Sequence, residues 1–120
     1  MTRKILVVDD SATEMAVMSS SLKAEGFDVL TAANSDEALT HLERTTPDAI
    51  VLDVIMPGRN GFQLCRQIRN DERWSKVPIV LVTSKDQESD RFWGMKQGAS
   101  DYITKPFAPA SLVAAVRRFV

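Results

Sequence analysis

The chain predicts a three-layer α/β domain built on a doubly wound parallel sheet. Short apolar runs alternate with longer amphipathic stretches along all 120 residues. Three of the runs, Ile5–Val8, Ala49–Leu52 and Ile79–Val82, are continuous rather than alternating, as strands buried on both faces are. No repeat, low-complexity tract or Pro/Gly/Ser linker interrupts the pattern, so one domain spanning residues 1–120 is expected.

Two weaker runs, Val29–Ala32 and Tyr102–Ile103, complete five strands and suit positions nearer the sheet edges. The first helix is expected over Ser11–Glu25, with Met15, Met18 and Leu22 at helical spacing and Gly26 as its stop. Ser35 opens the second, with Asp36 and Glu37 in its first turn, and Pro47 bounds it. The third covers Gly61–Asn70 and turns Leu64, Cys65 and Ile68 inward. A fourth is expected over Asp86–Gln97, before Gly98, with Phe92 and Met95 inward and Trp93 at the rim. A fifth begins at Pro109, a residue suited to a first turn, and reaches Phe119.

Composition narrows the function. With 44% hydrophobic and 26% charged residues the chain has the makeup of a globular domain, and a core can form without staples. A net charge of −1 gives no field that would draw the whole domain onto nucleic acid or an anionic membrane, so neither is expected as a partner. Arg117 and Arg118 are read as partners of a helix C-terminus. The single cysteine, Cys65, excludes an internal disulfide and is expected to be inert packing. The apolar run at the N-terminus stops at Asp9-Asp10, too short for a signal peptide or a membrane span, so a cytoplasmic protein is expected.

What distinguishes the sequence is where its polar residues fall. The first strand ends at Asp9-Asp10, the third at Asp53 and the fourth at Thr83-Ser84, and Lys105 follows the fifth. In a doubly wound sheet all of these converge on one rim, the edge where ligands bind. A single aspartate after a strand is usually a turn former; three carboxylates, a hydroxyl and a lysine at matching ends need another explanation. Hard oxygen donors of this kind suit Mg²⁺ or Mn²⁺, and a lysine beside them suits a phosphoryl oxygen. The set fits in-line phosphoryl transfer to a carboxylate, where positioning and charge neutralisation are the main needs.

Val7-Val8-Asp9-Asp10-Ser11, Asp53-Val54-Ile55-Met56-Pro57-Gly58, Gly61, Val82-Thr83-Ser84 and Lys105-Pro106-Phe107 together resemble the receiver domains of response regulators, including the chemotaxis receiver. The resemblance covers essentially the whole chain. It implies a flavodoxin-like (βα)5 fold with strand order 2-1-3-4-5. It also implies that Asp53 accepts phosphate from a phosphohistidine of a partner histidine kinase. Asp10 and Asp53 would ligate the metal, with Asp9 assisting and the backbone carbonyl of Ile55 completing the protein ligands. Thr83 and Lys105 would contact the phosphoryl group, Tyr102 would change rotamer as Thr83 moves, and Lys105-Pro106 would be cis. The family's usual output surface is the fourth helix, fifth strand and fifth helix, here near Arg91, Lys96 and Tyr102. With no residues left for an output domain, the expected action is contact with another protein. The stretches Ser11–Met15 and Thr83–Gly94 are similar to stand-alone receivers of type IV pilus twitching-motility systems.

Ile55 and Lys85 stand where some receivers carry polar or acidic residues that orient a hydrolytic water, so slow to moderate loss of phosphate is expected. Gly58 and Gly61 form no phosphate-cradling loop, and Gly61 is read as permitting the turn into a helix. His41 is expected to be solvated, Trp74 to cover a core edge, and Asp86, Glu88 and Asp90 to be helix-start charges. An aspartyl-phosphate phosphatase using Asp9 would need an acid/base aspartate at position 11, which is Ser11. A flavodoxin-type flavin carrier would need a first loop rich in Ser, Thr and Gly, and this one opens with two aspartates. A receiver excised from a larger regulator remains an alternative reading. No enzymatic activity is expected beyond self-phosphorylation from a donor and autodephosphorylation.

Overall fold

The computed structural model describes residues 2–120, and within them the expected alternation is complete. The strands are β1 (Lys4–Val8), β2 (Asp28–Ala32), β3 (Ala49–Leu52), β4 (Ile79–Thr83) and β5 (Asp101–Thr104). The helices are α1 (Ala12–Ala24), α2 (Ser35–Arg44), α3 (Gly61–Arg69), α4 (Glu88–Lys96) and α5 (Pro109–Arg117). All strands pair in parallel in the order β2-β1-β3-β4-β5, so the two weak apolar runs are the edges. The register sets Val8 beside Leu52 and Leu52 beside Leu81, which brings the three central strands to a common C-terminal rim.

The sheet divides two cores. Ile5, Val7, Val51, Val80 and Val82 point to one side, where Met18 and Leu22 of α1 and Leu112 and Val116 of α5 cover them. Leu6, Val8, Ile50, Leu52 and Leu81 point to the other, against Ala38 and Leu42 of α2 and Leu64, Cys65 and Ile68 of α3. Because alternate residues serve opposite faces, strands buried on both sides read as unbroken apolar runs.

Local signals fix the helix ends. Ser11 caps α1 by accepting from the Glu14 N–H at 3.3 Å, and Gly26, at φ 91°, closes the helix. Asn34 rather than Ser35 caps α2, accepting from the Glu37 N–H at 2.9 Å; the Ser35 hydroxyl instead donates to the Arg59 carbonyl. Asn60 and Gln63 form a reciprocal capping box at the start of α3. The Asp90 carboxylate accepts from the Gln87 N–H at 3.3 Å, which starts α4 two residues later than its charge pattern suggests.

Three side-chain expectations are corrected. Phe92 and Met95 are not inward: they are 63% and 42% exposed, and Trp93 is exposed with them. The buried residue of α4 is Gly94, whose missing side chain lets the helix lie on Leu81 and the Tyr102 ring. His41 is half-buried, and its Nε2 makes a 2.9 Å bond with the Thr31 carbonyl of edge strand β2. Trp74 is buried beneath the Arg73 guanidinium, 4.2 Å from the ring centroid, with Glu43 bonded to that arginine at 2.7 Å. Cys65 is buried, and burial pushes its thiol up to about 11, away from reactivity.

Arg69 was not singled out by its sequence. Its guanidinium donates to the carbonyls of Gly98 (2.7 Å), Val77 (2.6 Å) and Ser75 (3.3 Å) and to the Ser100 hydroxyl (3.4 Å). One side chain thereby ties the end of α3 to the approaches of β4 and β5.

Candidate functional site

The C-terminal rim opens into a cleft of about 620 Å³ lined by Asp10, Glu14, Asp53, Ile55, Ser84 and Lys105, among others. Asp9 and Asp53 are delivered by the ends of adjacent strands β1 and β3. Their backbones are held by continuing the ladder, with Asp9 N–H to the Ala32 carbonyl at 3.1 Å and Asp53 N–H to the Val8 carbonyl at 2.9 Å. Both side chains are buried, at 0% and 6% exposure for the residues, while Asp10 is exposed at the mouth.

Lys105 is the hub. Its ammonium, on the residue that follows β5 and precedes a cis Lys105–Pro106 bond, reaches Asp9 Oδ2 at 3.0 Å, Asp53 Oδ2 at 3.2 Å and Glu14 Oε2 at 2.9 Å. The opposite oxygens are used too: Asp9 Oδ1 accepts from the Ser11 N–H (2.9 Å) and Asp53 Oδ1 from the Ile55 N–H (3.2 Å). Burial works to lower the Lys105 pKa, but the hydrogen bonds it donates to Glu14 and Asp9 and the charge of Asp53 outweigh it and hold the ammonium well above its ordinary value. Burial pushes the Asp53 carboxyl above the usual carboxylate range; Lys105 opposes this and Asp9 adds to it.

Three carboxylates thus pair with one ammonium, Asp10 adds a fourth nearby, and the excess is negative. Oxygens of Asp9, Asp10 and Asp53 lie within 4.8 Å of one another. Opposite ligands of an octahedral Mg²⁺ at about 2.1 Å stand about 4.2 Å apart, so this all-oxygen set fits such an ion with small adjustments.

Thr83 and Tyr102 are placed differently from the rest. Thr83 is fully buried at the end of β4, and its hydroxyl oxygen accepts from the Lys85 N–H at 3.3 Å. Ser84, not Thr83, lines the cleft. Tyr102 is turned inward, 3% exposed, and its hydroxyl donates to the Lys85 carbonyl at 2.8 Å. Burial first, with the nearby Asp90 charge, raises the phenol to about 12. One residue, Lys85, therefore joins Thr83 to Tyr102 through its main chain. Ile55 is half exposed over the cleft.

Gly61 does not serve the turn through its own backbone conformation, contrary to the sequence expectation. Its φ is not in the left-handed region; Gly58, at φ 73°, makes the turn. A Cβ on Gly61 would stand 2.2 Å from the Asp53 carbonyl oxygen and 2.7 Å from Val54 Cα. Glycine is required by the close approach of α3 to the segment carrying Asp53. Glu14 was missed because an acidic residue in a first helical turn is accounted for by the helix dipole alone.

A 2-1-3-4-5 parallel sheet with an acidic cleft centred on a lysine at its C-terminal rim defines the class: a doubly wound α/β domain whose working edge is that rim. The response regulator receiver domain model matches residues 5–117, and the chain belongs to that family. It is 44% identical to Protein PilH of Pseudomonas aeruginosa over 110 residues, covering 92% of this chain and 91% of that protein. It is 42% identical over 117 residues to the alkaline phosphatase synthesis transcriptional regulatory protein PhoP of Bacillus subtilis, covering 98% of this chain but only 48% of that longer protein. The chemotaxis response regulator CheY4 of Vibrio cholerae superposes over the full length of both chains with a TM-score of 0.93 at 31% identity.

Proposed function

We propose that this receiver is a phosphorylation switch in which Asp53 is the acceptor, charged by the phosphohistidine of a partner histidine kinase. The observation that carries this is the Lys105 ammonium, 3.2 Å from Asp53 and 3.0 Å from Asp9, at the mouth of an open acidic cleft. Asp53, desolvated and aligned by the Ile55 N–H, presents a carboxylate oxygen to phosphorus as the bond from phosphorus to the donor nitrogen breaks; the imidazole leaves with the bonding pair. Lys105 takes up the charge of one phosphoryl oxygen. Mg²⁺ or Mn²⁺, held by Asp10 and Asp53 with Asp9 and the Ile55 carbonyl, supplies further charge neutralisation when bound. The chain acts on itself only, and is not an enzyme toward other substrates.

The output follows from the link through Lys85. A hydroxyl drawn toward a phosphoryl group at Asp53 withdraws Thr83 from the Lys85 amide, and the same peptide segment holds the Tyr102 hydroxyl. The face of α4, β5 and α5 presents exposed Phe92, Trp93 and Met95 beside Arg91 and Lys96, a surface suited to a protein partner. Resemblance to PilH supports a role in type IV pilus, twitching or chemotaxis-like motility control. The described residues form no helix long and apolar enough to cross a membrane, which is compatible with a cytoplasmic setting. A second reading, an output-coupled receiver in a longer regulator, is favoured by the match to about half of the Bacillus regulator.

The test is intact mass after incubation with acetyl phosphate and Mg²⁺, with wild type and Asp53→Asn side by side. A gain of about 80 Da in wild type alone is expected; equal labelling of both would move the acceptor elsewhere. With Ile55 covering the acceptor, the label should outlast a few seconds after the donor is removed, and decay within a few seconds would mean that Ile55 does not shield it.

A further inference from the structure

We propose that Glu14 is a positioning residue that holds Lys105 over the cleft before phosphorylation and is the carboxylate that an incoming phosphoryl group displaces. The inference rests on the reading of Asp53 as acceptor and assigns the exchange of partners at its lysine.

An ammonium has three N–H donors. Those of Lys105 face Asp9, Asp53 and Glu14 at 3.0, 3.2 and 2.9 Å, so none is left for a phosphoryl oxygen. One carboxylate has to give way, and burial decides which. The Asp9 side chain is 0% exposed and that of Asp53 7%; releasing Asp9 would strand a charge with no water to receive it. The Glu14 side chain is 47% exposed and sits in the first turn of α1 at the cleft mouth. It can turn into solvent, rehydrate and leave the buried pairing intact. Its release also moves a negative charge away from an anion arriving beside Asp53, where the two would otherwise repel.

While Glu14 is in place it does two things. It completes the ammonium's hydrogen bonds, fixing a flexible side chain where the phosphoryl group will need it. It also competes with that group, which makes the unphosphorylated state the better satisfied one.

The experiment is titration of the full chain with beryllofluoride at saturating Mg²⁺, comparing wild type, Glu14→Gln and Glu14→Asp, with thermal midpoints as a fold check. Removing a half-exposed competitor of this kind should tighten beryllofluoride by about three- to fivefold in Glu14→Gln. Glu14→Asp, which keeps the charge but is one methylene too short for the lysine, should tighten as well, with midpoints unchanged in both. A purely structural glutamate would move the midpoint and not the affinity. Unchanged or weaker binding by Glu14→Gln overturns the proposal, and so does tightening by Glu14→Gln while Glu14→Asp matches wild type, since the effect would then be long-range charge. Failure of wild type to bind beryllofluoride at all would remove the acceptor reading and this inference with it. Tight wild-type binding with unmoved variants removes only the role of Glu14.

Discussion

Lys105→Met should destabilise the domain by about 3 kcal/mol at neutral pH in the absence of divalent cations, measured by urea unfolding. The reason lies in what is left behind. Asp9 is fully buried and Asp53 nearly so, and without the ammonium they face each other with no cation between them. The loss should shrink on adding Mg²⁺, which replaces the missing charge. Its pH dependence has a fixed sign. The native Asp53 carboxyl already lies above its ordinary value, so the folded variant takes up protons more readily than the unfolded chain and gains stability as pH falls. In wild type, Lys105 is raised; its contribution is complete below the ordinary lysine value of about 10.5 and is lost as pH climbs through the native one. A variant as stable as wild type at pH 7 without metal would show that the buried carboxylates do not depend on Lys105.

Gly61→Ala should cost about 3 kcal/mol and lower the rate of labelling by acetyl phosphate about a hundredfold. The added methyl group would meet the Asp53 carbonyl and the Val54 backbone at 2.2 and 2.7 Å, and backbone cannot swing aside as a side-chain tip can. Either α3 lifts, breaking the 2.9 Å bond from the Gly61 N–H to the Val54 carbonyl, or the segment carrying Asp53 shifts against Lys105. Gly58→Ala is the control. Its Cβ would meet nothing within 4 Å, so only the strain of φ 73° applies, about 1 kcal/mol, with labelling near that of wild type. Equal effects at the two glycines would mean that backbone conformation, not close approach, governs this loop.

Much of this was legible in the sequence, and the boundary is physical. Strand cores were readable because double burial leaves a direct composition signal, and Asp9, Asp10, Asp53 and Lys105 because polar residues at strand ends stand out against it. The inner face of α4 was not. Its buried position is a glycine, and large apolar residues at helical spacing are read as core unless a partner's surface is known. Arg69 and Glu14 were hidden for a related reason. Each satisfies a local expectation on its own helix, while its role is set by groups far away in sequence, Gly98 and Val77 for one and Lys105 for the other. His41 differs only in having the Thr31 carbonyl within reach at an edge strand.

The parity of the central strands has a consequence for how the sequence can drift. Odd- and even-numbered residues of β1 serve different cores, and so do neighbouring residues of β3 and β4. Side chains on opposite faces of a sheet do not touch, so substitutions in one layer should combine with those in the other almost additively. Each layer can be retuned, volume for volume, without renegotiating its counterpart. The rim is the exception: there Asp9 and Asp53 share the Lys105 ammonium, so substitutions among these three should couple rather than add.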